Sequence, residues 1–207
     1  MPTDLTEMVT PGHTAMLTME MQRGVIGDLA VIPDLAAEVA DQNVIANAAR
    51  LATAARDAGV RVVHCTAEFR ADRAGSAVNT PMLAVMMRSP AHLVVGSPAA
   101  EVVRELGPDP ADIISSRRHG ISPFIGTDLD AILRNLGVAT VVATGVSLNL
   151  GIPGLAIEAV NLGYRVAVAT DAVAGVPRDY GRAVMDNTLA LVTTRVTVDE
   201  LIAAWKA

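Results

Sequence analysis

Alternating strand-like and helix-like stretches mark this chain as an α/β protein, a three-layer αβα domain with a mainly parallel, Rossmann-like sheet of about six strands. Three observations carry that expectation. Short apolar, β-branched runs such as Val138–Ala143 and Arg165–Ala169 have the unbroken hydrophobicity of strands buried on both faces. Between them lie stretches with apolar residues at helical spacing, several closed by glycine. The composition, 51% hydrophobic and 18% charged, suits a well-covered core and argues against disorder. At 207 residues, the chain is expected to be a single domain, 1–207.

The elements follow in order. Residues 1–13 read as a polar, proline-containing lead-in, and Thr14–Glu20 as a first strand that ends in a carboxylate. Met21–Gly24 is a loop. Asp34 is positioned to cap one helix running to Ala58, with Leu35, Val39, Val44 and Leu51 near one face and Gly59 as its stop. Val60–Cys65 is the second strand. Residues 67–110 read as loop, short helix and loop, a long insertion after a strand end that is placed to wall a pocket. Asp112–Ser115 is a third strand, followed by Arg117-Arg118-His119-Gly120. Thr127 opens a helix that Gly137 ends. The strand at 138–143 then leads through Gly145-Val146-Ser147 into a helix from Asn149 to Leu162. A strand at Arg165–Ala169, a helix at Tyr180–Leu191, a strand around Arg195–Thr197 and a helix at Val198–Trp205 complete the chain.

Several function classes are disfavoured. A formal charge of −6 with no Lys/Arg run gives no reason to expect nucleic-acid binding. The first 14 residues, with Asp4, Glu7 and two prolines, do not read as a signal peptide, and no apolar run reaches membrane-spanning length. A single cysteine, Cys65, rules out an internal disulfide framework, and the expected location is the cytoplasm. So much apolar surface on a modest domain favours a homo-oligomer, a dimer or tetramer.

The chemistry concentrates at the predicted strand ends. Glu20-Met21-Gln22 follows the first strand, Arg118-His119-Gly120-Ile121-Ser122-Pro123-Phe124-Ile125-Gly126-Thr127-Asp128-Leu129 the third, and Thr144-Gly145-Val146-Ser147-Leu148-Asn149-Leu150-Gly151-Ile152 the fourth. In order and spacing these resemble the D-x-Q, K-x-x-x-S-x-F-x-G-T-x-L and T-G-V-x-T-N-x-C-V motifs of the isochorismatase-like cysteine hydrolases. Gly163-Tyr164-Arg165-Val166 and Asp171-Ala172 match two further family patterns. The resemblance covers nearly the whole chain and implies the isochorismatase-like fold.

It also implies a site built from an aspartate, a lysine and a cysteine, whose positions here are Glu20, Arg118 and Gly151. Glycine has no side chain to attack with, and arginine stays protonated, so covalent cysteine chemistry is excluded at this position. Isochorismatase resembles this chain in having glycine there; in it an acidic residue protonates an enol ether and water attacks. By that resemblance Glu20 is the acid or base and Arg118 an anion clamp. The family's oxyanion hole maps to the backbone N–H groups of Ser147 and Gly151, beside a cis bond at Val146–Ser147. The matched positions Gln22, Phe124, Val146, Ser147 and Asn149 are expected to line the substrate site, Asn149 and Ser147 with a turn-satisfying role as the alternative. Phe69 and Arg70 are placed to line the pocket mouth, against the alternative of a solvated loop, and His119 either bonds substrate or is structural. Cys65 reads as a packing residue.

No cofactor is expected. The family's nicotinamidases carry a D-x-H-x-H-like metal segment after the second strand, whereas this chain reads Glu68-Phe69-Arg70-Ala71-Asp72-Arg73, so no metal is expected either. The leading expectation is a hydrolase of a small, carboxylated substrate that works by a cysteine-independent acid–base mechanism. The alternative is an inactive relative that kept the pocket as a ligand-binding or assembly module.

Overall fold

The computed structural model describes residues 4–89 and 92–207, so the first three residues of the lead-in and Pro90-Ala91 in the long insertion lie outside the described residues. Six strands form one sheet in the order β3-β2-β1-β4-β5-β6, every neighbouring pair parallel. They are β1 (Thr14–Met19), β2 (Arg61–Ala67), β3 (Ile113–Arg117), β4 (Thr140–Val146), β5 (Arg165–Ala174) and β6 (Thr194–Val196). The helices are α1 (Leu5–Met8), α2 (Pro33–Asp41), α3 (Val44–Ala58), α4 (Pro81–Met86), α5 (Leu129–Asn135), α6 (Gly151–Asn161), α7 (Arg178–Ala183), α8 (Ala190–Val192) and α9 (Val198–Lys206), with a π-helical turn at Val184–Leu189 between α7 and α8.

Because successive strand residues face opposite ways, the sheet feeds two cores. Met16, Val62 and Val142 meet Leu35, Val39, Leu51 and Leu201 of α2, α3 and α9 on one face. Leu17, Val63, Val141 and Val168 meet Leu129, Leu133, Ile152 and Leu155 of α5 and α6 on the other. The expected three-layer architecture is the one observed. Strand order reverses direction between β1 and β4, and parallel sheets place ligand sites beyond the carboxyl ends of strands at such a point. Glu20, Arg117 and Gly151 all lie at those ends or just past them.

Several local expectations give way. The single helix expected over 34–58 is two, because Asn43 adopts a left-handed conformation (φ 54°) that turns the chain between α2 and α3. Asp34 is not the cap: Pro33 opens α2, and the preceding Ile32 makes no side-chain capping bond. The 180–191 helix is broken into α7, the π turn and α8. β3 begins one residue later than expected and runs two further, which brings Arg117 inside the sheet. β5 is ten residues long, so Asp171 lies within it; its carboxylate accepts the Val198 N–H (2.8 Å) at the start of α9.

Candidate active site

The first strand stops abruptly. Glu20 has φ +50°, a conformation that L-residues seldom adopt, and it turns the chain out of the sheet directly after Met19. Its backbone N–H still donates to Cys65 O (2.9 Å), and its carbonyl accepts the Gln22 N–H (2.8 Å). Next to it β4 approaches closely: Gly145 pairs with Met19 and has φ +99°, and a Cβ there would lie 2.2 Å from Met19 O. Only glycine fits, and the close approach brings the 146–151 turn beside Glu20.

Arg117, rather than Arg118, meets Glu20. The guanidinium Nη2 donates to Glu20 Oε1, and Nε donates to Gly120 O at 3.2 Å. Both side chains are largely buried, at 7% and 16% exposure. Arg117 is the last residue of β3, paired with Ala67. Alternation along the strand sends the next side chain away, and Arg118 lies in solvent 3.8 Å from Glu68. Motif spacing cannot show where a strand ends, and so does not tell which of the two arginines pairs with Glu20.

The third position is closed as well as empty of a thiol. Gly151 is the first residue of α6 and is buried, and a Cβ on it would stand 2.8 Å from Val146 O. As the first helical residue it has an N–H without an intrahelical partner. The Val146–Ser147 peptide bond is cis, at the position expected from the resemblance. Ser147 O accepts the Leu150 and Ile152 N–H groups at 3.2 and 3.0 Å.

The remaining expected site residues divide. Gln22 is wholly buried and spends its amide on backbone: Nε2 donates to Ala67 O (3.0 Å) and Ala100 O (2.8 Å), and Oε1 accepts the Ala67 N–H (2.8 Å). It therefore staples the long insertion to β2. Asn149 likewise clamps Val176, donating to its carbonyl (2.5 Å) and accepting its N–H (2.9 Å). Phe124 is buried against Tyr164, with ring centroids 6.0 Å apart. Arg70 is exposed and bidentate to Asp72. Phe69 is buried beneath the Arg73 guanidinium, 5.2 Å from its ring centroid. His119 and Asn149 help line a separate cavity of about 520 Å³ beside Pro153 and Glu158, which neither Glu20 nor Arg117 lines.

Two functional candidates escaped the sequence reading. His92 is buried at 2% exposure. Both its ring nitrogens lack a hydrogen-bond partner, as do Ser97 Oγ and Arg117 Nη1, and these are the buried side-chain atoms so identified among the described residues. Buried polar groups are normally satisfied, so each such atom calls for an explanation. His92 and Ser97 line one cavity of about 310 Å³, with Leu29, Val31, Ser89 and Pro98 as further walls. Burial pushes the His92 imidazole below the ordinary histidine range, and Arg73 adds to that, while the nearby Glu20 charge works the other way. The one available signal was a lone histidine inside an irregular insertion.

Cys65 is fully buried, and burial pushes its thiol up to about 12, so it is no nucleophile. Among the described residues, no group of three or more His, Cys, Asp or Glu side chains is arranged to hold a metal ion.

The sequence pattern of the isochorismatase domain matches residues 14–200, most of the chain. The chain belongs to the isochorismatase family. An uncharacterized isochorismatase family protein of Escherichia coli O157:H7, YecD, is 30% identical over 196 residues, 92% of this chain and 95% of that one. The ureidoacrylate amidohydrolase RutB of Pantoea ananatis is 28% identical over 79% of this chain and 70% of its own. Among solved structures, an isochorismatase family protein from Desulfovibrio vulgaris superposes with a TM-score of 0.78 at 25% identity, covering 94% of this chain and 99% of that one. Within this isochorismatase-family fold, Arg117 stands beside Glu20 just past the end of β1, whereas the resemblance matched the family's lysine to Arg118.

Proposed function

We propose that this isochorismatase-family protein hydrolyses a small, carboxylated substrate without a cysteine nucleophile, Glu20 serving as the acid–base group and Arg117 as the anion clamp. The observation that carries this reading is Arg117 Nη1, a buried cationic donor with no acceptor, whose neighbouring Nη2 holds the Glu20 carboxylate. A donor left buried and unpaired destabilises a protein unless it serves a partner, and an anionic oxygen of a substrate is the partner a guanidinium suits best. The water-attack route follows from Gly151: there is no thiol, and the backbone leaves no room for one. The ureidoacrylate amidohydrolase relative supports a carboxylate-bearing substrate.

The working unit in this reading is a homo-oligomer in the cytoplasm. Ile125, Leu150 and Ile157 stand 66%, 43% and 44% exposed, and such side chains favour burial between copies.

The test is turnover of purified protein on a panel of isochorismate and other enol ethers, ureidoacrylate and further small amides, run beside Glu20→Gln. Turnover that survives treatment with iodoacetamide and disappears in Glu20→Gln is the expected result. Loss of turnover on alkylation would return the chemistry to a thiol. A silent wild type that still binds panel compounds would establish a ligand-binding module instead.

A further inference from the structure

We propose that the cavity of about 310 Å³ walled by the 29–31 and 89–99 loops is a binding site for a small uncharged carboxamide, with His92 and Ser97 as its polar anchors. Neither Glu20 nor Arg117 lines this cavity, so the site stands apart from the reacting centre and goes beyond the hydrolase reading.

The two loops are fixed against each other by the fold itself. Gly24 N–H donates to Ala99 O (2.8 Å), and a Cβ on Gly24 would stand 2.8 Å from that oxygen and 2.9 Å from Ala99 Cβ, so the contact admits only glycine. Leu29 N–H donates to Arg23 O (3.1 Å) and Val31 N–H to Gly24 O (3.3 Å). On the other side, Phe69 N–H donates to Leu93 O (2.8 Å), and Arg73 donates to His92 O (3.0 Å) and Ser89 O (2.8 Å). A volume held open between loops tied in this way suits a small molecule.

Two polar side chains of this cavity forgo ordinary partners. Both ring nitrogens of His92 are buried without a hydrogen bond, and so is Ser97 Oγ. Ser97 directly precedes the 3₁₀ turn Pro98–Ala100, a position where serine ordinarily caps, yet its hydroxyl makes no capping bond. Among the described residues, His92, Ser97 and Arg117 carry such unmet buried atoms, and two of the three line one cavity. Each unmet group destabilises the fold, and one ligand in the shared cavity would satisfy both.

The chemistry of the walls selects the ligand. Burial, with the Arg73 charge, keeps His92 neutral, although the Glu20 charge acts the other way. A neutral imidazole presents one donor and one acceptor, and a serine hydroxyl can serve as either. A carboxylate brings acceptors alone and an ammonium donors alone, so each would leave an anchor atom unmet. A carboxamide carries a carbonyl acceptor and an N–H donor side by side. Leu29, Val31, Pro98 and Ala99 supply apolar surface for the rest of the molecule, and Leu29 and Val31 stand 41% and 47% exposed, as the rim of an open cavity would.

The experiment uses the full chain near neutral pH, with isobutyramide and benzamide as probes and isobutyrate and isobutylamine as charged comparators. Methyl shifts of labelled Leu29 and Val31 and ring-nitrogen shifts of His92 report binding by NMR without turnover. The amides should give saturable shifts at all three residues, and the comparators should bind about 10-fold more weakly or less. His92→Phe and Ser97→Ala each remove an unmet polar group, so both should keep or raise the thermal midpoint while weakening amide binding about 10-fold. Ser97→Ala removes a single oxygen and keeps the test open should the larger phenylalanine ring not fit.

Amide binding unchanged in the folded variants would overturn the proposal, as would comparators that bind as tightly as the amides. So would amides that shift none of these residues, or a crystal grown with benzamide that shows only water against His92 and Ser97. A protein inert on the substrate panel would count against the hydrolase reading alone, because binding here is measured without turnover.

Discussion

At the scale of single residues, two neighbouring arginines make opposite predictions. Arg117 forms a largely buried ion pair, so Arg117→Gln strands the Glu20 carboxylate and should destabilise the protein by on the order of 3 kcal/mol, as well as abolishing turnover. Arg118 is half exposed with a distant partner, so Arg118→Ala should change stability by no more than about 0.5 kcal/mol. Urea unfolding of the two variants side by side decides between them. Gly151 makes a third prediction. A methyl group there meets the Val146 carbonyl, so Gly151→Ala should destabilise by roughly 1–3 kcal/mol, and Gly151→Cys should not create a thiol hydrolase. A fully stable, thiol-active Gly151→Cys would show that the turn is more plastic than its backbone contacts indicate.

At the scale of elements, the sheet carries a buried polar chain linking β1, β2, the residue before β3 and α3. Thr18 Oγ1 meets His64 Nδ1 (2.8 Å), His64 Nε2 meets Asp112 Oδ2 (3.1 Å), and Asp112 accepts two bonds from Arg56 (3.1 and 2.7 Å). Burial pushes the His64 imidazole below its ordinary value despite Asp112. Burial opposes the Asp112 charge, but bonds from Arg56, the Asp109 N–H and His64 outweigh it and hold the carboxyl below the usual range. The signs follow from linkage. His64 is neutral when folded and binds a proton more readily when unfolded, so its contribution is complete above about pH 6.5 and is lost as pH falls below that value. The Asp112 contribution is complete above its ordinary value of 3.8 and is lost as pH falls from there through its lowered folded value. Urea midpoints should hold from pH 7.5 to about 6.5 and fall from there to pH 5, and His64→Gln should flatten part of that slope; His92, shifted the same way, should contribute to the rest. An unchanged slope in His64→Gln would remove this chain from the explanation.

At the scale of the whole molecule, both cores rest on one sheet, and neither has a second sheet to hold it when the first is lost. Unfolding is therefore expected as a single cooperative transition, with tryptophan fluorescence and far-UV circular dichroism giving the same midpoint. Trp205 is the one tryptophan and reports from the far end of the chain: it is buried on α9 and donates its indole N–H to Val9 O (3.0 Å). Separate midpoints for the two probes would show that α9 detaches before the sheet opens.

The sequence by itself determined the layered α/β class, the strand order of chemistry along the chain and the loss of the thiol at residue 151, because periodicity and residue type are local properties. It also located Glu20, whose place at the end of an apolar run is visible without coordinates. It did not determine which arginine meets that carboxylate, since one residue of strand length reverses the direction in which a side chain points. Nor did it separate Gln22 and Asn149 as backbone staples from residues that face a ligand, for an amide's partners lie 45 and 27 residues away. His92 was invisible for the same reason. Only the folding of the long insertion buries its imidazole with neither nitrogen bonded, and burial and unsatisfied hydrogen bonding are properties of the tertiary structure alone.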